Sequence, residues 1–217
     1  MKKSTKKLKK IPVKEVVNKV SVELAEIITV KNDLEFSKTS CQIILLNSHD
    51  GQYETVDIAL WNSAIISFFR CFGGGKRGYK LDKKIFENLP GEPMNFYDFL
   101  KNLRDKHLAH PVNIFEEVKI GVIFSDDYKE LLGISNFFIK RLLETPETIK
   151  QFIGFINVAL KEVNFELEIK NIQLVNVVKK ESAINISKWE NLKYVVPDSL
   201  KASEKNRVGS KEPRFKK

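Results

Sequence analysis

The chain predicts a mainly α protein, a helical bundle with long antiparallel helices and one short strand element near 118–124. Two patterns carry that reading. Apolar residues recur at three- and four-residue steps over most of the length, the period of a half-buried helix. Strict alternation is confined to Val118, Ile120, Val122 and Phe124, just before the turn-like Ser125-Asp126-Asp127. A length of 217 residues suits one well-buried domain better than two. The expected organisation is a disordered basic arm at 1–12, a helical domain at 13–200 and a disordered basic tail at 201–217.

The first predicted helix runs from Val13 to Asn47 through Val17, Val20, Leu24, Ile27, Leu34, Cys41 and Leu45, and His49-Asp50-Gly51 reads as a turn. Val56 to Phe72 is apolar nearly all round, which on a helix means burial on most faces, so it is the expected central helix. Gly73-Gly74-Gly75 should end it with a left-handed cap. A short helix around Leu81 to Leu89 stops at Pro90-Gly91. The next helix starts with Asn95 as cap and is closed by Pro111, which disfavours helical geometry at His110. After the strand, whose partner is expected at Tyr194-Val195-Val196 or on the bundle itself, helices are predicted from Asp127 to Leu143 and from Thr145-Pro146-Glu147 onward, where proline suits a first turn. Ile153, Ile156, Leu160, Val163, Leu167, Leu174 and Val177 give this last helix a seam that fits the first helix or a dimer.

Charge is concentrated at the ends. The formal net charge is +9, yet residues 1–10 hold six lysines and residues 201–217 hold seven Lys or Arg against two acids, which leaves 24 bases and 26 acids between them. Such arms suit polyanions, and equally suit solubilising disorder. The lysine-rich start leads into no apolar signal core, and Val56 to Phe72 is too short and too polar to span a bilayer, so a soluble cytoplasmic protein without membrane attachment is expected. Cys41 and Cys71 fall within apolar helical patterns without metal-ligand spacing and read as reduced core thiols.

Two of the three histidines lie in Arg104-Asp105-Lys106-His107-Leu108-Ala109-His110. At about 100° per residue, Arg104, His107 and His110 share an arc of about 120°, next to the apolar stripe of Phe96, Leu100 and Leu103. Histidine moves protons near neutral pH and a guanidinium binds phosphate oxygens in a fork, so the group suits catalysis. It also suits a helix end, where cations oppose the dipole and Arg104 pairs with Asp98 or Asp105. No third His or Cys is placed to complete a metal site, and no cofactor is predicted.

The same string resembles the defining motif of the HEPN superfamily: an Arg, a polar Asn, Asp or His, then a His four to six residues beyond the Arg. Here five residues intervene. The form looks most similar to the branch related to AbiU-type abortive-infection proteins, as do Trp61 and Arg70-Cys71-Phe72-Gly73-Gly74-Gly75-Lys76-Arg77 upstream. The resemblance implies a HEPN-like bundle and a metal-independent, homodimeric endoribonuclease serving phage defence or a toxin–antitoxin stress response, with a possible antitoxin partner. It further implies His110 as the proton-transfer group, Arg104 as the phosphate clamp and Asp105 as an orienting residue. His107 is an auxiliary candidate by its place on the arc. Some toxin members carry a modified Tyr two positions after the motif His, where this chain has Val112.

Gly73 to Gly78 lacks the terminal Gly-Lys-Ser/Thr of a phosphate loop and follows a helix, so it reads as a helix stop. Lys76, Arg77 and Lys80, with Lys83 and Lys84, form the dense basic patch of the body and are candidate RNA contacts. Arg70, set in an apolar helix, should pair with Asp57 or another bundle acid. Beside the nuclease reading stand a non-catalytic HEPN-like module that binds RNA, nucleotide or protein, and a purely structural adaptor.

Overall fold

The computed structural model describes residues 11–47, 54–73, 77–108, 118–138 and 143–193. Its elements are α1 (Lys19–Asn47), α2 (Glu54–Phe69), a 3-10 helix (Lys83–Phe86), α3 (Pro93–Leu103) running into a π-helical turn (Arg104–Leu108), the strands β1 (Val118–Phe124) and β2 (Leu131–Phe138), α4 (Pro146–Lys179) and α5 (Ala183–Ser187). The protein is mainly helical with a short strand element at 118–124, as its periodicity predicts, and that strand belongs to a small antiparallel sheet. The basic arm and tail, His49-Asp50-Gly51 and Tyr194-Val195-Val196 lie outside the described residues.

The chain divides into two compact units: residues 29–75 with 80–164, and residues 1–28 with 76–79 and 165–217. Both α1 and α4 contribute to each.

The larger unit is built on an aromatic core. Trp61 and Phe68 of α2 meet Phe152 of α4 edge-on at 5.4 and 5.0 Å, and Phe86 stacks on Phe155 at 4.6 Å. Such pairs add about 0.5–1.5 kcal/mol each beyond the area they bury. Around them α4 buries Ile149, Phe152, Ile156, Ala159 and Val163. The predicted seam is therefore displaced: Ile153 and Leu160 sit at its half-buried edge and Val177 is exposed. Thr145 accepts the N–H of Thr148 at 3.3 Å ahead of Pro146, the helix start its sequence predicts. On α1 the buried line is Val30, Leu34, Ser37, Cys41 and Ile44, with the Ser37 hydroxyl donating to the Ala64 carbonyl at 2.9 Å.

In the smaller unit α1 begins at Lys19 rather than at Val13. Asn18 and Ser21 cap each other's backbone N–H groups at 2.8 and 3.0 Å, which fixes the start there. The preceding segment is extended and bridges to Asn191 at Lys14, whose ammonium donates to the carbonyls of Ser187 and Trp189 at 3.2 and 2.9 Å. Farther along, the Lys170 ammonium meets Glu23 at 2.7 Å.

The last turns of α2 tighten, with the N–H groups of Cys71 and Phe72 donating three residues back to Phe68 and Phe69. Gly73 does not adopt the left-handed conformation, and Gly74 and Gly75, the other candidates for that cap, lie outside the described residues. Three further local expectations are corrected. Leu81 to Leu89 holds a single 3-10 helix capped by Asp82. At α3 the cap position is Glu92 with Pro93 in the first turn, so Asn95 is not the cap. Residues 131–138 form β2, not part of a helix from Asp127 to Leu143, and β2 is the partner of β1.

The turn between the strands explains that last difference. Asp127 accepts the Ser125 hydroxyl at 2.6 Å and the Lys129 N–H at 3.2 Å, and Ser125 accepts the Glu130 N–H at 3.0 Å. Tyr128 takes a positive φ of 58° between them. Short polar side chains that satisfy the backbone locally favour a turn over a helix start, and Gly133 weakens the helical alternative by about 1 kcal/mol.

Candidate functional site

The candidate site sits where α3 passes into the π turn, within the larger unit. Residues Tyr97, Leu100 and Leu103 bury one face of α3, a spacing of three that follows from the helical period. Tyr97 meets Phe69 of α2 edge-on at 5.2 Å and Phe72 at 5.6 Å. This aromatic wall anchors the end of α3, and Arg104 follows as the first residue beyond it.

Arg104 lies across that wall. Its guanidinium carbon is 5.4 Å from the centre of the Phe69 ring, within cation–π range and worth about 0.5–1 kcal/mol at a site still open to water. Its Nε–H donates to Asp105 Oδ1 at 2.6 Å, and Nη2 pairs with the same oxygen. Gly73 lies beside the guanidinium: a Cβ there would stand in ordinary contact, 3.9 Å from Arg104 Nη1. The Arg104 side chain is 31% exposed, so it is held in place while part of it faces solvent.

Neighbouring side chains on a regular α-helix diverge by about 100° and do not face each other. Each residue of a π turn rotates by less, which lessens the divergence between Arg104 and Asp105. Lys101, one α-helical turn before Asp105, approaches its other oxygen at 3.5 Å. Partial burial pushes the Asp105 carboxyl up, but the Arg104 hydrogen bond, the Arg104 charge and Lys101 outweigh it and hold the group below its usual value. Burial pushes the Tyr97 hydroxyl up to about 12 despite the opposing Arg104 charge, so it stays protonated near neutral pH.

Of the predicted site residues, the structure brings together Arg104 and Asp105. His107 lies on the π turn that follows Arg104. His110 and Lys76 lie outside the described residues. Arg77 is half-buried, whereas Lys80, Lys83 and Lys84 are exposed. Arg70 pairs with Asp33 of α1 at 3.7 Å and is 57% exposed, so its pair is neither with Asp57 nor buried. Asp57 instead accepts from Asn47 at 3.1 Å.

Two contributors carried little signal in the sequence. Phe69 is one apolar residue among many on α2, and its role under Arg104 emerges only when α2 and α3 meet. Lys101 was findable as the cation four residues before Asp105. Among the described residues no group of three His, Cys, Asp or Glu is placed to hold a metal ion, and no helix is long and apolar enough to cross a membrane. No family model, no curated protein and no solved structure matches the chain.

Proposed function

We propose that the protein is a metal-independent endoribonuclease of HEPN type, acting on RNA as a homodimer in phage defence or a toxin–antitoxin stress response. The observation that supports the reading is Arg104, a partly exposed guanidinium fixed over Phe69 at the head of the segment that leads to His110. An arginine so held suits a phosphate whose charge grows during reaction, because its planar fork stays in place while its donors exchange Asp105 for phosphate oxygens.

In the proposed reaction the 2′-oxygen of a ribose attacks the adjacent phosphorus and the bond to the 5′-oxygen breaks, leaving a 2′,3′-cyclic phosphate and a 5′-hydroxyl. His110 takes the proton from the 2′-hydroxyl or gives one to the departing oxygen, and His107 is the auxiliary proton carrier. Arg104 stabilises the phosphorane oxygens, and Asp105 holds its fork until substrate arrives. Two-fold pairing of the motif helices doubles these groups around one scissile phosphate. The exposed Lys80 is an RNA-contact candidate, together with Arg77 and Lys76.

The contact with Asp105 also favours a second reading, a non-catalytic module. A guanidinium already paired with a carboxylate serves reversible binding of RNA, nucleotide or an acidic protein segment without cleavage. Incubation with RNA in EDTA, followed by analysis of the new ends, separates the two. Cyclic-phosphate ends that vanish in Arg104→Ala and His110→Ala support the nuclease, whereas retention of intact RNA supports the binding module.

A further inference from the structure

β1 and β2 form a ribbon with two unlike faces. Side chains alternate across a strand, and the register pairs Ile120 with Asn136, Val122 with Ile134 and Phe124 with Leu131. Val118, Ile120, Val122, Phe124, Leu131 and Ile134 therefore share one face with a single polar residue among them, Asn136. The other face carries Lys119, Gly121, Gly133 and Ser135 together with Ile123 and Phe137. The first face is apolar and open: Ile120 is 68% exposed, Val122 56% and Ile134 74%.

A two-stranded ribbon is marginally stable in water unless its apolar face is covered. We infer that this face is a self-association surface, on which the hairpins of two copies pack face to face about a two-fold axis. The area fits. Six apolar side chains leaving about 100 Å² each give on the order of 600 Å² per copy and about 1,200 Å² for the pair, the lower bound for a specific interface.

The charge pattern argues for the same occupant. A two-fold interface sets identical patches against each other, so any charge on it meets its own sign. None of these six side chains is charged, so two copies meet on this face without setting like charges against each other. The same lack of charge offers nothing to a phosphate backbone or to an acidic protein.

The inference stands apart from the ribonuclease reading, since it rests on the ribbon and not on the motif helix. Its test is sedimentation or light scattering of the full chain across micromolar concentrations, without RNA. The wild type should be a dimer. Ile134→Lys or Ile120→Lys should weaken it by at least about tenfold in dissociation constant, with unchanged helicity, while Ser135→Lys on the opposite face should leave it intact. Val122→Thr, nearly isosteric, should weaken the dimer in the same direction and replaces the lysine variants if they lose helicity. A dimer that survives all the face variants overturns the inference and leaves a dimeric nuclease standing. A monomeric wild type overturns it too, and the EDTA cleavage assay then judges the chemistry separately.

Discussion

Arg104 rests its guanidinium 5.4 Å from the centre of the Phe69 ring. The contact joins the end of α3 to α2 and gives the cation an apolar floor. Phe69→Leu should remove the ring face and leave a small void, costing about 1–2 kcal/mol of stability. If the ring positions Arg104, RNA cleavage should fall by about tenfold, equivalent to about 1.4 kcal/mol. Chemical denaturation and single-turnover cleavage of the same variant separate the two effects, and unchanged cleavage would show that Arg104 does not need the ring.

Asp105 competes with any phosphate for the Arg104 fork. Asp105→Asn removes the negative charge while retaining the shape, so RNA affinity at low salt should rise several-fold, and the gain should shrink as salt screens it. Filter binding or fluorescence anisotropy at two salt concentrations checks this. Weaker binding by the variant would mean that Asp105 orients the arginine and does not restrain it.

The same carboxylate ties stability to acidity. Its folded-state pKa is lowered from the usual 3.8, so its contribution is fully present above the unfolded value and is lost as pH falls from near 3.8 through the lowered folded value. Asp127 is lowered too, chiefly by the Ser125 hydroxyl and Lys129, and acts in the same window. Asp105→Asn should flatten part of the acid-side decline, and the double variant with Asp127→Asn should flatten more. Melting temperatures collected between neutral pH and about pH 3 show whether the slopes differ.

The loop at 77–79 is pinned by a buried acid. Glu26 is 5% exposed and accepts the Tyr79 N–H at 3.0 Å, while a Cβ on Gly78 would stand 2.7 Å from the same carboxylate oxygen. Gly78→Ala must displace Glu26 and weaken that bond, at a cost of about 1 kcal/mol, or about 2–4 °C in melting temperature for a chain of this size. Glu26→Ala opens the space, so the double variant should cost less than the sum of the two single changes. Strict additivity would show that the two positions do not compete.

Burial of Cys41 pushes its thiol up to about 12, and Cys71 is buried as well. Both should resist an aqueous thiol reagent at about pH 8, where an open thiol is partly ionised, and react in denaturant. Rapid labelling of the native protein at Cys41 would contradict its place in the core.

The elements easiest to read in the sequence were those whose local chemistry and burial agree. Thr145-Pro146-Glu147 opens α4 because the cap and the proline act within one turn, whereas β1 is legible from its alternation alone, since its residues are exposed on both faces but for the half-buried Gly121. β2 was obscured: Leu131, Leu132, Ile134 and Phe137 also fit a helical period, and the deciding signal lies in the side chains of Ser125 and Asp127 rather than in hydrophobicity. At the site, the pairing of Arg104 with Asp105 was one of two alternatives that residue chemistry allowed. The π turn that draws them together and the ring beneath them depend on how α3 meets α2, which no spacing within the motif encodes.

The central claim is tested most directly by incubating the purified protein with RNA in EDTA and analysing the termini, beside Arg104→Ala and His110→Ala variants of native helicity. The account predicts 2′,3′-cyclic phosphates and 5′-hydroxyls from the wild type and intact RNA from both variants. Wild-type protein that leaves a broad RNA panel uncut, or an Arg104→Ala variant that cleaves as fast as the wild type, would contradict it.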